Sequence, residues 1–350
     1  MKKGLTILAA FLLLAGFSVQ ASAAKKTTFL LDWIIYGKHA PFFVAQDMGH
    51  FKKRGLDMDI RRGFGSGDTV KKIAAKVARI GFADAGSLIN GRANSNVKVV
   101  EVAMIHAKPI QVVVFLKEDN DWKSPKDMKG AKIGSPIGAS TRVTFPALAG
   151  ANGLIDHGPS SNKKGDINWI TMPYGQVIPS MLLRKTDASV MFATELPTIR
   201  PKAKTLGKTV KTFYYGDYGV DTYNNGVVVH EDTIKADPKF VRDATHAVMD
   251  AWAWSLLHVD AAAKNFLKYA PGMSEPIIRG HFAIAIEHLF DDGVRAHGLG
   301  YMDYKKMDYS VEILTKLQKL KKRIKTTDVY TNRFLPQWPQ IKAALGDKAM

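Results

Sequence analysis

From Thr28 to Val229 the chain alternates short apolar runs with stretches of helical spacing, and this alternation restricts it to an α/β fold. Strands are predicted over 27–31, 57–61, 80–83, 98–104, 111–116, 132–134, 166–170, 188–192, 211–215 and 226–229. Helices are predicted between them, as at 40–48, 69–78, 124–128 and 176–184. From Pro238 the chain turns helical. Asp237-Pro238 opens a helix through Trp252, Trp254 and Leu257, and Pro271-Gly272 breaks it. Further helices are predicted over 276–290 and 308–320.

The N-terminus is of another kind. Lys2-Lys3, an apolar run from Leu5 to Phe17 and Ala21-Ser22-Ala23 read as a cleaved secretory signal, residues 1–23. The run is short for a membrane span, and no later stretch approaches ~18 uninterrupted apolar residues. The 350 residues contain no cysteine, which excludes thiol nucleophiles, Cys-ligated zinc, iron–sulfur clusters and a lipid-attachment thiol. The ten histidines show no ligand spacing, so no metal is expected. The net charge of +18 is spread in scattered pairs, dense only over 316–325. There Leu314, Leu317, Leu320 and Ile324 interleave at helical spacing, which predicts an amphipathic helix with a solvated basic face. No recognition motif accompanies the charge, so nucleic acid is not expected as a partner.

In open α/β sheets small ligands bind beyond the carboxyl ends of the strands. Asp32-Trp33 stands at the first such end. Trp33 there is either a flat wall for an aromatic ligand or a core plug, and Asp32 accepts hydrogen bonds from ligand or from loop backbone. His39 offers one donor and one acceptor to a heterocycle, or a bond to backbone at a helix start. Gly63-Phe64-Gly65-Ser66-Gly67-Asp68 leads into a helix, where Ser66 and Gly67 bring amides to a ligand or simply cap. It is not a phosphate-binding P-loop, because no Gly-Lys-Ser/Thr ends it. Asp84 and Ser87 follow the third strand and point where a ligand would sit. Gly138, Ser140 and Thr141 open a helix with amide and hydroxyl donors, and Arg142 either adds charge or faces solvent. Tyr174 offers a stacking ring from the far side, and Glu195 pairs with an amino or amidine group or with a cation of its own lobe. Tyr218, Tyr223 and Asn224 are placed to seal the cleft mouth.

Leu31-Asp32-Trp33, then His-x-Pro-x-Phe-x-Ala-Gln-x-x-Gly-x-Phe-Lys-x-x-Gly-Leu-Asp over 39–57, resembles the thiamine-pyrimidine-precursor family of periplasmic binding proteins. Nitrate- and sulfonate-binding proteins are its more distant relatives. Ile80 to Ala85, Lys123 to Gly134 and Tyr218-Gly219-Val220 agree with the same family. The resemblance implies a two-lobed α/β periplasmic-binding-protein fold. Each lobe is a mainly parallel sheet flanked by helices, with extra C-terminal helices on lobe one. The order of elements divides the chain into 24–108 (lobe one), 109–212 (lobe two) and 213–350 (the return to lobe one). Hinge strands are expected near 110–114 and 213–219.

The resemblance also places His39 and the 63–67 loop in the cleft, and makes the 138–142 helix start the anion-binding region of the distant relatives. One branch of the family comprises pyrimidine-making suicide enzymes, in which a lysine holds pyridoxal phosphate and a histidine four residues later donates its ring. Those positions hold Ala83 and Ser87 here, and the cysteine-rich motif is missing. Alanine forms no Schiff base, so neither an enzyme nor a cofactor is expected. What the resemblance implies is a monomeric periplasmic solute-binding protein that serves an ABC permease and its ATPase at the inner membrane. Its ligand is a small heterocycle such as a thiamine pyrimidine precursor, with a sulfonate- or nitrate-like anion as the alternative.

Overall fold

The computed structural model describes residues 26–159 and 161–337, so the leader read at 1–23 lies outside the described residues. In chain order the elements are β1 (Thr27–Leu30), α1 (Ala40–Asp47), β2 (Met58–Arg61), α2 (Ser66–Ala74), β3 (Ile80–Asp84), α3 (Ala85–Ser95), β4 (Val99–Met104), β5 (Gln111–Leu116), β6 (Lys132–Ser135), α4 (Ser140–Ala151), β7 (Asn168–Thr171), α5 (Tyr174–Leu182), β8 (Ala188–Phe192), α6 (Leu196–Thr205), β9 (Val210–Tyr214) and β10 (Asn225–His230). Six helices follow: α7 (Glu231–Ala236), α8 (Pro238–Leu257), α9 (Val259–Phe266), α10 (Glu275–Glu287), α11 (Asp292–His297) and α12 (Tyr304–Leu317).

The strands form two five-stranded sheets, ordered β2-β1-β3-β10-β4 and β7-β6-β8-β5-β9. Each is mixed. β1 pairs parallel with β2 and β3, while β10 runs antiparallel to β3 and β4. In the second sheet β6 is parallel to β7 and β8, and β5 is the reversed strand. β5 reads Gln-Val-Val-Val-Phe-Leu and is buried along its whole length, as a strand covered on both faces should be. Phe42 of α1 holds the first lobe together, packing on Phe29, Phe82 and Trp252 at ring separations of 5.2, 4.9 and 6.2 Å. α8 starts where Asp237 accepts a bond from the Phe240 amide and Pro238 supplies a pre-set φ.

Two segments, 105–110 and 215–224, link the sheets. They run side by side: the Ile105 and His106 amides donate to Asn225 O, and the Asn224 amide donates to His106 O. The expected hinge segments, 110–114 and 213–219, lie largely within or beside these crossings. β5 and β9 are hydrogen-bonded neighbours inside the second sheet, with Val113 opposite Phe213. The C-terminal helices do more than cover the first lobe, since α10 also packs on α6 and α12 on both α3 and α4. The basic helix expected through 325 is a correction. α12 ends at Leu317, and Lys319 takes a left-handed φ of 51°. Lys316, Lys319, Lys322 and Arg323 would repel at helical spacing, while Leu320 and Ile324 still pack inward from irregular chain. Among the described residues no helix is long and apolar enough to cross a membrane.

Candidate functional site

At the end of β1 the chain turns through Leu31 into Asp32, which is 1% exposed. One Asp32 oxygen takes bonds from the Lys38 ammonium and from Asn225 Nδ2 at 2.9 Å. The other takes His39 Nε2–H at 2.7 Å. His39 Nδ1 accepts the Tyr36 amide, which places the ring proton on Nε2. Burial pushes the His39 imidazole down to about 4, against the pull of Asp32, so the ring is neutral. Burial alone would raise the Asp32 carboxyl, but the Lys38 ammonium and the His39 bond hold it well below the usual carboxylate range. Lys38 is itself fully buried, its ammonium 4.2 Å from the ring centre of Phe192 on the opposite lobe.

The facing wall is built differently. β8 ends at Phe192, and a short 3-10 turn over Ala193–Glu195 precedes α6. Glu195 is 4% exposed and receives a short hydrogen bond from the Tyr174 hydroxyl at the start of α5. Burial raises its carboxyl to about 7, against Tyr174 and Lys38, which lower it. The Tyr174 ring meets Trp33 of the other lobe edge-on, with centres 5.4 Å apart and planes at 89°. Tyr36 and Thr194 share a hydroxyl–hydroxyl bond of 3.1 Å across the same seam.

Two helix starts close the remaining sides. Ser66 opens α2, and Ser140 and Thr141 open α4, all against the same space. The residues before them, Gly65 and Ala139, provide no side-chain cap to the first-turn amides. Ser66 Oγ and Trp33 Nε1 are buried with no hydrogen-bond partner among the described residues. Gly65 adopts a φ of +120°, and a Cβ there would lie 2.0 Å from the Gly138 carbonyl oxygen, so the two lobes touch backbone to backbone at this lip. The cavity these walls line is small, about 30 Å³. The cleft is therefore narrow, with the two lobes in contact at the Gly65–Gly138 lip.

Of the residues singled out in the sequence, Asp32, Trp33, Ser66, Ser140, Thr141, Tyr174 and Glu195 line this cavity together. The others lie elsewhere. His39 stands behind Asp32, and Gly67 lies one residue inside α2. Asp84 caps α3 through the Ser87 amide and hydroxyl at 2.8 and 3.1 Å, and holds Gln111 of the second sheet with its other oxygen. Burial raises its carboxyl to about 6. Gly138 forms the lip. Tyr218 packs edge-on against Phe213. Tyr223 is fully buried, its hydroxyl accepting the Asp303 amide. Asn224 is fully buried in the crossing. Arg142 neither enters the cavity nor faces solvent: it donates to Thr171 Oγ1 at 2.7 Å and lies over Trp169. Lys38 and Phe192 escaped sequence reasoning. A lone lysine between Gly37 and His39 gives no sign of burial, and Phe192 reads as strand core.

Comparison with known proteins agrees with this architecture. The chain is 24% identical over 282 residues to the formylaminopyrimidine-binding protein of Halalkalibacterium halodurans, covering 79% of this chain and 82% of that one. It is 22% identical over 261 residues to the 4-amino-5-hydroxymethyl-2-methylpyrimidine phosphate synthase of Aspergillus parasiticus, covering 74% and 75%. Among solved structures, the alkanesulfonate-binding protein SsuA of Xanthomonas axonopodis pv. citri superposes with a TM-score of 0.66 at 11% identity, over 88% of this chain and 99% of that one. That likeness shows the periplasmic-binding-protein fold. The NMT1/THI5-like family model matches residues 37–262, well over half of the molecule, and the chain belongs to that family.

Proposed function

We propose that this protein is the exported solute-binding component of an ABC importer. It captures a small amino-substituted nitrogen heterocycle, of the thiamine pyrimidine precursor type, and delivers it to a permease. The observation that carries this reading is the convergence of Trp33 from one lobe with the Tyr174–Glu195 pair from the other on one small cavity. Trp33 and Tyr174 supply apolar aromatic wall. Glu195 supplies a buried acceptor for ring amino groups, and a bound donor would draw it into its charged form. The relative named for formylaminopyrimidine binding supports the same class.

Catalysis is not part of the reading. The relative named as a synthase leaves an enzymatic member in the family, but Ala83 lies fully buried in β3 and carries no amine, and Ser87 is tied to Asp84. The leader at 1–23 supports export to the periplasm. A second reading, a small organic anion, rests on the uncapped starts of α2 and α4. Thermal-shift measurements with 4-amino-5-hydroxymethyl-2-methylpyrimidine, methanesulfonate and nitrate separate the two. The heterocycle should raise the melting temperature by several degrees at saturating concentration. A rise with the anions alone selects the second reading, and no rise with any of them removes both.

A further inference from the structure

A second recess lies beside the two crossings, and it shares no lining residue with the ligand cavity. It is a groove of about 860 Å³, within the size of small-molecule sites, whereas two other surface depressions hold about 200 and 240 Å³. Both crossings wall it, together with the ends of β9 and α10, α11 and the start of α12. In a chain of net charge +18, this groove is lined by five aspartates and three lysines. Lys306 pairs with Asp221 at 3.8 Å and with Asp291 at 3.3 Å. Asp217, exposed in the second crossing, has no ion-pair partner among the described residues. His288, which follows α10, is 8% exposed and lines the groove. Its Nδ1–H donates to the Ile284 carbonyl at 2.8 Å, and its Nε2 has no hydrogen-bond partner among the described residues. Burial lowers this imidazole below its usual value, so near pH 7 the ring is neutral, with a free lone pair on Nε2. Tyr214, the last residue of β9, lies nearly parallel to it, with ring centres 6.0 Å apart and planes at 15°. Burial raises the Tyr214 phenol, and the Asp217 carboxylate acts on both rings. A buried acceptor, an aromatic face and an unpaired carboxylate thus come together in one groove.

The geometry points to a second binding site in this groove, for the ammonium or guanidinium head of a small organic cation held by His288 Nε2, the Tyr214 face and Asp217. Each of the three groups selects for a hydrogen-bond donor or for positive charge. With its proton on Nδ1, the neutral His288 ring can only accept at Nε2. The Tyr214 ring offers a cation its negative face. The Asp217 charge, not offset by an ion pair within the protein, attracts a charged donor. An anion would be repelled by Asp217 and find no donor at Nε2, and an apolar ligand would leave Nε2 unpaired. Lys108 and Lys305 stand exposed on the rim. They are screened by solvent, and they suit a carboxylate where the same molecule carries one. Tyr214 comes from the second sheet and His288 from the C-terminal helices, so an occupant would touch both parts of the molecule. This site is independent of the importer reading.

Titration calorimetry on the mature protein tests it with three probes. Agmatine carries a guanidinium and an ammonium, arginine adds a carboxylate to the same skeleton, and glutarate is a dianion of similar length. At least one of the two cations should bind saturably, with a Kd of about 1 mM or below, and glutarate should not. Asp217→Asn should weaken that binding about threefold and Asp217→Lys about tenfold or more, both with the wild-type melting temperature. His288→Phe keeps a ring and removes the acceptor, and should also weaken it about tenfold or more. Should that variant fail to fold, Asp217→Lys carries the test alone. Asp121→Asn removes an exposed carboxylate outside the groove and should bind as wild type. Tighter binding of arginine would assign the site to a cationic amino acid, and tighter binding of agmatine to an amine without a carboxylate; either supports the proposal. No binding of either cation would overturn it, as would unchanged affinity in Asp217→Lys. Loss of binding in Glu195→Gln with Asp217→Lys unaffected would place the cation in the ligand cavity and equally overturn it.

Discussion

Two buried carboxylates, Asp32 and Glu195, face the same cavity from opposite lobes, and they are not equivalent. Asp32 is spent: a lysine, a histidine and an asparagine occupy its oxygens, and it stays charged. Glu195 has one side-chain partner, the Tyr174 hydroxyl, and burial keeps it near half-protonated at neutral pH. A carboxylate saturated by charged and polar side chains holds structure, whereas one bonded only by the Tyr174 hydroxyl and the Phe192 backbone has lone pairs left for a ligand. The first lobe thus offers a rigid floor and the second an acceptor that adapts.

The largest effect that could break this contrast is on Asp32. Asp32→Ala leaves the Lys38 ammonium buried without a counter-charge, and removing one partner of a buried pair costs about 3–5 kcal/mol. Urea denaturation should show that loss, and a change below about 1 kcal/mol would mean that Asp32 is not the structural member. Next come the aromatic walls. Trp33→Ala and Tyr174→Ala should each weaken binding of the aminopyrimidine by about 1–3 kcal/mol in calorimetry, through lost apolar and ring contact. Unchanged affinity in both would move the site elsewhere.

A smaller effect sharpens the comparison through pH. Glu195 ionises near 4.5 when unfolded and at about 7 when folded, so the unfolded chain loses its proton first. Its contribution is fully present below about 4.5 and declines as pH rises toward 7, by up to about 1.4 kcal/mol per pH unit. Asp32 has the opposite sign: its folded carboxyl is depressed, so its contribution holds above the ordinary carboxylate range and is lost in acid. His39, kept neutral down to about 4, adds to that acid loss as pH falls below 6.5. Chemical denaturation of Glu195→Gln from pH 4.5 to 7.5 should show stability changing with pH more positively than in wild type, by up to about 1.4 kcal/mol per pH unit. Equal slopes would place the titration on another group, with Asp84, raised to about 6, the first to examine.

Much of this was legible in the sequence because strand-end chemistry is local. Asp32, Trp33, Tyr174 and Glu195 each follow an apolar run that fixes where the backbone turns, so their place at a sheet edge follows from the pattern alone. What periodicity does not carry is the partner across the cleft. Tyr223 and Tyr218 look like cleft aromatics by position, yet Tyr223 bonds the start of α12 and Tyr218 packs on β9, contacts set by how distant helices dock. Asp84 gives the same lesson, since a helix cap and a ligand acceptor look alike after a strand. The buried Lys38 was invisible because its burial depends on Phe192, far along the chain in the other lobe. The fold class survived better than single contacts, since it rests on the alternation of many segments.

The central claim is that Glu195 is the acceptor for an amino-bearing heterocycle. Titration calorimetry of 4-amino-5-hydroxymethyl-2-methylpyrimidine into the wild-type protein and Glu195→Gln at pH 7.5 tests it most directly. The account predicts binding by the wild-type protein, weakened about tenfold or more in Glu195→Gln by loss of a charged acceptor, with the variant's melting temperature maintained. Equal affinities in the two proteins, or no binding of the pyrimidine alongside clear binding of methanesulfonate, would contradict it.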